Sequence, residues 1–258
     1  GYKVAVSGTG ADELFTGYYD HYSMWLAGMH EMSQTDPRID FARLLADWRG
    51  GFGAAVRNPL LQDPLAFVAN PGQRDHILLD RELFESFLVV PFHEDFSETG
   101  YTTELLRNRM LNELFNESIP VILHEDDRNS MRYSVENRSP FLDGKLAEFL
   151  YTVPSEHLIG DGFAKLLLRR MGDGLVPDQI RLDKRKRGFN ASIESLVDRA
   201  DASTRERLLS ESPIFDLVRR DAIAGFLDKE VSSNSFSKFL FSFISAKTFL
   251  EHHRDWTP

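Results

Sequence analysis

A glycine-spaced segment with an acidic residue follows a short apolar run near the start of the chain. Residues 7–18 read S-G-T-G-A-D-E-L-F-T-G-Y and come directly after Val4–Val6. Gly8 and Gly10 let a backbone turn sharply and approach a ligand, and free amides at the start of the following helix attract anions. Asp12 is an oxygen donor of the type that binds Mg²⁺ beside phosphates. The segment therefore predicts a phosphate-and-metal corner, with an ordinary turn between strand and helix as the alternative.

Two later blocks carry further residues that could do chemistry. The first of these, residues 127–143, reads D-R-N-S-M-R-Y-S-V-E-N-R-S-P-F-L-D. The second begins with K-L-L-L-R at residues 165–169, continues with V-P at residues 176–177 and ends with K-R-G-F at residues 186–189. In this order the blocks resemble the signature of the asparagine synthetase family: S-G-x-G-x-D-E-x-F-x-G-Y, then D-R-x-S-M…S-x-E-x-R-x-P-F-L-D, then K-x-x-L-R…L-P…K-x-G-F. The resemblance runs from Ser7 to Phe189, and residues from about 193 onward match only loosely.

The resemblance implies both a fold and an activity. The fold is α/β of the adenine-nucleotide alpha-hydrolase-like type, mostly α-helical in this chain, with one or two short parallel strands. The activity is that of an ATP-dependent ligase of the kind used in asparagine biosynthesis, which adenylates a carboxylate, releases pyrophosphate and transfers ammonia. ATP and Mg²⁺ are the implied cofactors. The implied partners are a carboxylate substrate, either aspartate or another acid, and ammonia from a glutaminase domain.

The matched positions carry the family's site residues over to this chain. Asp12 would ligate Mg²⁺, and Lys165 would reach the reacting phosphates, where its charge stabilises the transition state. A basic loop at Lys186 would close over pyrophosphate. The complete set comprises Asp12 for the metal, Ser7, Gly8, Gly10 and Lys186 for the nucleotide, and Lys165, Glu136 and Thr9 for catalysis.

Each assignment has a plain structural alternative that the sequence leaves open. Asp12 could be an acid favoured at a helix N-terminus, and Lys165 could lie on a helix surface. Residues 184–187, the densest basic cluster, could be a solvated charge run. Glu136 and Arg138 could form a buried pair that shapes the site without moving a proton.

Thr9 departs from the family pattern. In asparagine synthetases proper this position is typically Glu, and a Thr cannot act as a carboxylate base or carry charge. We therefore expect an acceptor other than aspartate, unless another acid such as Glu13 or Glu136 serves instead. Asp126 and Asp127 are assigned no chemistry.

Two family features are absent from the sequence. It has no S-G-G-x-D-S pyrophosphate loop and no cysteine, whereas the family carries that loop upstream and a cysteine nucleophile in its glutaminase domain. We interpret the chain as the C-terminal part of a synthetase domain and expect it to be inactive alone. The competing hypotheses are a relative that closes an amide ring or amidates a sugar acid, and a non-catalytic module that retains the fold.

The charge and composition of the chain limit the classes of partner that we expect it to bind. The chain has 30 basic and 40 acidic residues, a net charge of −10, whereas a duplex-binding surface normally needs a basic excess. No apolar run approaches the roughly 20 residues that cross a bilayer. We therefore expect no nucleic-acid partner, no membrane partner and a cytoplasmic location, and the resemblance allows a homodimer.

Apolar periodicity places these blocks on a mainly helical chain. Residues 2–7 form the only strand that the sequence indicates strongly, and their pattern is that of a buried strand. We expect this chain to expose an apolar face beside Val4–Val6, because the neighbouring strands of the parallel sheet are expected to come from residues outside it. Helices are predicted at residues 11–18, 23–32, 39–48, 82–89, 102–116, 119–133, 145–152, 163–171, 203–209, 217–229 and 235–252. An apolar stripe on the last of these, which includes Phe239, Phe243 and Phe249, is predicted to be core. We assign residues 1–192 to the synthetase domain and residues 193–258 to a helical extension packed on it.

Overall fold

The computed structural model describes residues 1–74, 76, 81–92, 96–185, 193–229 and 234–253. The chain divides into two compact units. The first comprises Gly1–Gln73 and Ser97–Arg187, and the second comprises Arg74–Phe96 and Gly188–Pro258. All described residues of the three sequence blocks lie in the first unit. The predicted boundary between residues 192 and 193 stays a prediction.

Two short strands form a parallel pair in the first unit. Strand β1 is Val4–Val6 and strand β2 is Glu136–Arg138. Their register pairs Val4 with Glu136, Ala5 with Asn137, and Val6 with Arg138. Since parallel strands run in the same direction, their carboxyl ends meet at one edge. The glycine turn that follows β1 therefore lies beside Ser139, which follows β2.

Strand β1 is where the sequence places it, but it is not buried. Val4 and Val6 are 51% and 72% exposed, which agrees with the expectation that this chain exposes the apolar face of its strand. The reason is that β2 is its one strand neighbour among the described residues, and a single neighbour covers little of its side chains. Strand β2 has the sequence E-N-R, which lacks the apolar pattern that would have predicted it.

Helices form most of the described chain. In chain order they are α1 Ala11–Phe15, α2 Tyr19–Ser33, α3 Phe41–Gly50, α4 Ala66–Ala69, α5 Arg81–Phe87, α6 Leu105–Phe115, α7 Ser118–Met131, α8 Gly144–Thr152, α9 Leu166–Met171, α10 Asp178–Arg181, α11 Ala202–Leu209, α12 Arg220–Leu227 and α13 Asn234–His252. Helices α5 and α11 to α13 belong to the second unit. Each helix predicted from the sequence is confirmed, with shifted ends.

Aspartate side chains fix the start of three helices. Asp40, Asp143 and Asp201 each accept a hydrogen bond from the backbone amide three residues later, at the beginning of α3, α8 and α11. Such a cap satisfies an amide that has no partner within the helix and contributes about 1 kcal/mol. These caps set the helix starts more sharply than the apolar pattern does.

Among the helices that are shorter than predicted, α1 and α9 are each bounded by a left-handed residue. Helix α1 stops at Phe15 because Thr16 has φ of 67°, and α9 starts at Leu166 because Lys165 has φ of 56°. A right-handed helix cannot continue through such a residue. The two interruptions lie next to each other in the fold, beside the candidate site.

Each unit has its own apolar core. In the first, α2 packs against α3, α4 and α6, and its largest fully buried side chains include Tyr22, Phe15 and Phe67. In the second, the rings of Phe226 and Phe239 lie 4.9 Å apart. The predicted stripe on α13 is confirmed as core at Phe239 and Phe243 but is wrong at Phe249, which is 58% exposed.

Among the described residues, no helix combines the length and the apolar character that crossing a bilayer requires.

Candidate functional site

The turn after β1 is held in a conformation that needs glycine. Gly10 has φ of 93°, and a Cβ atom added to it would lie 2.4 Å from Cδ2 of Leu142. The Ser7 amide donates to the Arg138 carbonyl at 2.8 Å, which extends the strand pairing into the turn. At Gly8, in contrast, an added Cβ would meet nothing within 4 Å. The turn is thus fixed on its inner side and open at Gly8.

Asp12 and Lys165 form a direct ion pair at this turn. The two side chains are 26% and 28% exposed, so solvent screens the pair only partly. Gly17 closes over the carboxylate, since a Cβ atom there would lie 1.7 Å from Oδ1 of Asp12. Two charged residues from sequence blocks 153 positions apart, each predicted to act on phosphates, therefore face each other.

The Thr9 side chain belongs to a hydrogen-bond network with four other polar residues. The Ser7 hydroxyl lies 3.0 Å from the Thr9 hydroxyl and 3.0 Å from that of Ser139. Thr9 donates to Oδ2 of Asp126 at 3.5 Å, and Asn137 donates to the same oxygen at 2.9 Å. The structure thus brings a carboxylate from α7 to Thr9. No sequence pattern indicates Asp126, because its place beside Thr9 depends on packing between distant segments.

Glu136 and Arg138 do not form the buried pair that one interpretation predicted. They pair with each other, but their side chains are 55% and 66% exposed. Residues two apart on a strand point to the same face, and this face of β2 is open in the described chain. Glu136 pairs with Val4 at the start of β1, which is the end away from the turn, and its carboxylate is held by Arg138.

Glu13 lies on the buried side of α1. It is 3% exposed and accepts a hydrogen bond from the Tyr18 hydroxyl. Burial and this carboxylate raise the pKa of Tyr18 well above its usual range. Glu13 and Leu14 also border an apolar cavity of about 770 Å³ that is lined mainly by α6, α7 and α8. The carboxylate of Glu13 is thus buried in the interior and hydrogen-bonded to Tyr18.

Lys186 lies outside the described residues, as does the rest of the predicted K-R-G-F loop. Its two predecessors in the basic cluster are described. The ammonium of Lys184 lies 4.7 Å from the centre of the Phe163 ring. Arg185 pairs with Asp183 at 2.9 Å, so part of this cluster is neutralised locally.

A second ionic cluster is buried between α2 and α6. His21 contacts Glu113 at 2.7 Å, and Arg109 contacts Glu113 and Asp20 at 3.1 and 3.5 Å. Burial lowers the pKa of His21, but the Glu113 carboxylate outweighs it, and the net pKa is raised. Asp20, His21 and Glu113 have spacing suitable for a metal ion. The Arg109 guanidinium beside them shares its one positive charge among Asp20, Glu98, Glu113 and Glu117.

Comparison with known proteins agrees with the sequence blocks. A family model for asparagine synthase matches residues 1–251. The chain is 25% identical over 239 residues to glutamine-hydrolyzing asparagine synthetase 1 of Bacillus subtilis (strain 168), covering 87% of this chain and 36% of that protein. It is 29% identical over 185 residues to glutamine-hydrolyzing asparagine synthetase 3 of the same organism, covering 71% and 26%.

The chain therefore corresponds to little more than a third of the length of the first relative and about a quarter of the second. The family model, in contrast, matches nearly the whole chain. The expected fold class is confirmed as well, since the described residues are mainly helical with one short parallel pair. The chain belongs to the asparagine synthase family.

Proposed function

We propose that this chain supplies part of the active site of an ATP-dependent ligase that adenylates a carboxylate and transfers ammonia to it. The observation that carries the proposal is the Asp12–Lys165 pair beside the open turn at Gly8. In parallel α/β arrangements ligands bind outside the carboxyl ends of the strands. The turn after β1 and Ser139 after β2 occupy that position.

The residues present are suitable for Mg²⁺. Magnesium in nucleotide sites is typically held by one or two carboxylates together with phosphate oxygens and water, and Asp12 offers a partly exposed carboxylate beside the turn. When bound there, the ion would neutralise charge on the phosphates. Lys165 shares that environment, and its ammonium is the neighbouring positive group that a phosphate would meet.

The proposed reaction has two steps. A carboxylate oxygen of the acceptor attacks the α-phosphorus of ATP, and the bond to pyrophosphate breaks. The nitrogen of ammonia then attacks the acyl carbon, AMP leaves and a proton is released. In the first step Lys165 stabilises the negative charge on the departing pyrophosphate, while the Gly8–Gly10 turn lets the backbone approach the nucleotide.

The surroundings of Thr9 support an acceptor that brings its own hydrogen-bond donor. Thr9 donates to Asp126, and Ser7 donates to Thr9, so both hydroxyl protons are used and lone pairs remain. Glu13 is committed to Tyr18 and Glu136 to Arg138, which leaves Asp126 as the acid nearest to Thr9. We therefore propose that neither Glu13 nor Glu136 replaces the Glu that is missing at position 9. The Asp126 carboxylate contacts the Thr9 hydroxyl from α7 instead, so the negative charge occupies a different place and aspartate is not the preferred acceptor.

The experiment uses the full-length protein that contains this chain. Exchange of labelled pyrophosphate into ATP is measured with Mg²⁺ and a panel of amino acids and sugar acids, and amide formation is measured with ammonia and with glutamine. Exchange of pyrophosphate into ATP that requires one particular acid would support the proposed ligase function. If a folded protein shows no pyrophosphate exchange with any acid, the result would favour the non-catalytic module. Aspartate reacting best would refute altered specificity.

Glutamine as the ammonia source, a cytoplasmic location and a homodimer also remain proposals. The names of the two relatives include glutamine hydrolysis, which supports the first. Mass and glutaminase measurements on the full-length protein test the homodimer and the ammonia source directly.

A further inference from the structure

Two non-glycine residues with left-handed backbones contact each other beside the ion pair. Thr16 has φ of 67° and Lys165 has φ of 56°. The Lys165 amide donates to the Thr16 carbonyl at 3.2 Å and approaches its hydroxyl at 3.4 Å. Positive φ is rare for residues other than glycine and is an outlier for a β-branched residue such as Thr. Each such residue is strained and persists only where its surroundings enforce it.

The surroundings of Thr16 do enforce it. Thr16 is fully buried. Its hydroxyl lies within hydrogen-bond distance of two carbonyl oxygens, that of Phe15 and, at 3.2 Å, that of Leu158. The Leu158 carbonyl also accepts the Leu166 amide at 2.8 Å. One side chain thus joins the end of α1, the segment at Leu158 and the start of α9. We call this set of hydrogen bonds the Thr16 tie.

The tie determines where both charges of the candidate site lie. Thr16 holds the backbone of Lys165 through its carbonyl and hydroxyl. The next residue, Gly17, donates its amide to the Asp12 carbonyl at 2.8 Å and packs against the Asp12 carboxylate. The two members of the ion pair are therefore both fixed by the dipeptide Thr16–Gly17.

We propose that Thr16 is a positioning residue, which holds Lys165 opposite Asp12 and thereby sets the place of its charge on the reacting phosphates. The catalytic consequence rests on the proposed function, whereas the structural consequence for Lys165 does not. Because Thr16 is buried and Lys165 is partly exposed, Thr16 acts through Lys165. Small misplacements of a charged group reduce turnover strongly, although nucleotide binding depends on other contacts too.

The test compares three changes at Thr16 in the full-length protein. Thr16→Ser keeps the hydroxyl, Thr16→Val keeps the shape and loses the hydroxyl, and Thr16→Gly loses the hydroxyl while relieving the strain. Thr152→Val is the control, since its hydroxyl donates to the Phe149 carbonyl at 2.7 Å at the exposed end of α8. It removes the same type of bond away from the site.

We expect Thr16→Val to lower kcat for pyrophosphate exchange by about tenfold or more with little change in KM for ATP. Thr16→Ser and Thr152→Val should stay near the wild type. Thr16→Gly removes the strain, so it should fold even if Thr16→Val does not, and its kcat should still fall. Wild-type kcat in a folded Thr16→Gly or Thr16→Val protein would overturn the proposal.

A second measurement distinguishes this inference from the proposed function. Lysines are reductively methylated with ¹³C, and the Lys165 resonance is assigned from Lys165→Arg. Thr16→Gly and Thr16→Val should move that resonance toward the position of exposed lysines, and Thr16→Ser should not. An unmoved resonance would refute the tie even in an active enzyme. A moved resonance in a protein that is inactive with every acid would support the tie and refute the ligase.

Discussion

The ion pair of Asp12 with Lys165 is the residue-level feature from which the proposed chemistry follows. Both side chains are about three-quarters covered, so their charges act at short range with only partial screening. In the absence of phosphate each charge neutralises the other. Removal of either one should therefore leave the fold largely intact and affect mainly the reaction.

Lys165→Ala in the full-length protein should lower kcat for pyrophosphate exchange more than it raises KM for ATP. The reason is that its charge is needed most when pyrophosphate departs. Lys145→Ala, at an exposed position of α8, is the matched control. Steady-state exchange kinetics of both variants check the prediction. Wild-type kcat in Lys165→Ala would show that the lysine is a surface residue without a catalytic role.

Asp126→Asn should change which acceptor is used more than it changes the use of ATP. Asp126 contacts Thr9 and Asn137, so its charge would act on the acceptor beside the turn. We expect KM for the best acceptor to rise about tenfold or more, as for loss of a charge-assisted hydrogen bond, with KM for ATP nearly unchanged.

The control for Asp126 is Glu125→Gln, which removes an exposed carboxylate from the adjacent position of α7. A general effect of negative charge on this helix would appear in both variants. The Thr9→Val and Asp126→Asn double variant then tests whether the two residues act together. Additive effects of the two changes would contradict their coupling.

At the level of elements, glycines in the turn and in a helix should respond in opposite ways to alanine. Gly10 has positive φ and its Cβ would collide with Leu142, so Gly10→Ala should lower the free energy of unfolding by about 1–3 kcal/mol. Gly28 lies within α2 with open space around it. Gly28→Ala should raise the free energy of unfolding by about 0.5–1 kcal/mol. Urea unfolding measures both, and equal effects would contradict this description of the turn.

The sequence predicted elements better than it predicted their exact ends. Helices α6, α7 and α13 were predictable because their apolar residues repeat with helical spacing over many turns. Strand β2 was not, because three polar residues carry no such pattern. The ends of α1 and α9 were also missed, since Thr16 and Lys165 adopt left-handed backbones only through their mutual contact. Local propensity contains no signal for that contact.

At the scale of the whole molecule, the candidate site joins segments that are far apart in the sequence. Sequence motifs indicated Ser7, Asp12 and Lys165, and the fold brings them to one edge of the first unit. Asp126 and Thr16 were assigned no role, because their roles depend on long-range contacts. Site residues that belong to a sequence motif can thus be predicted from the sequence. Site residues that reach the site only through packing between distant segments cannot.

The buried cluster between α2 and α6 should make the stability of the chain depend on pH. The pKa of His21 is raised above its ordinary value of 6.5; burial lowers it, but Glu113 and Asp20 raise it more. The folded chain therefore keeps a proton that the unfolded chain loses as pH rises past 6.5. The stabilisation is fully present below that pH and is lost as pH rises through the folded pKa.

His21→Gln should flatten this dependence, because a neutral amide replaces the group that titrates. The free energy of unfolding is measured in urea between pH 6 and pH 9, where the wild-type chain should lose at most about 1.4 kcal/mol per pH unit from this proton. His124→Gln, on the exposed face of α7, should keep the wild-type slope. If wild-type stability rises with pH over this range, or if both variants keep the slope, His21 is neutral in the folded chain. The Arg109 guanidinium then neutralises the buried carboxylates without it.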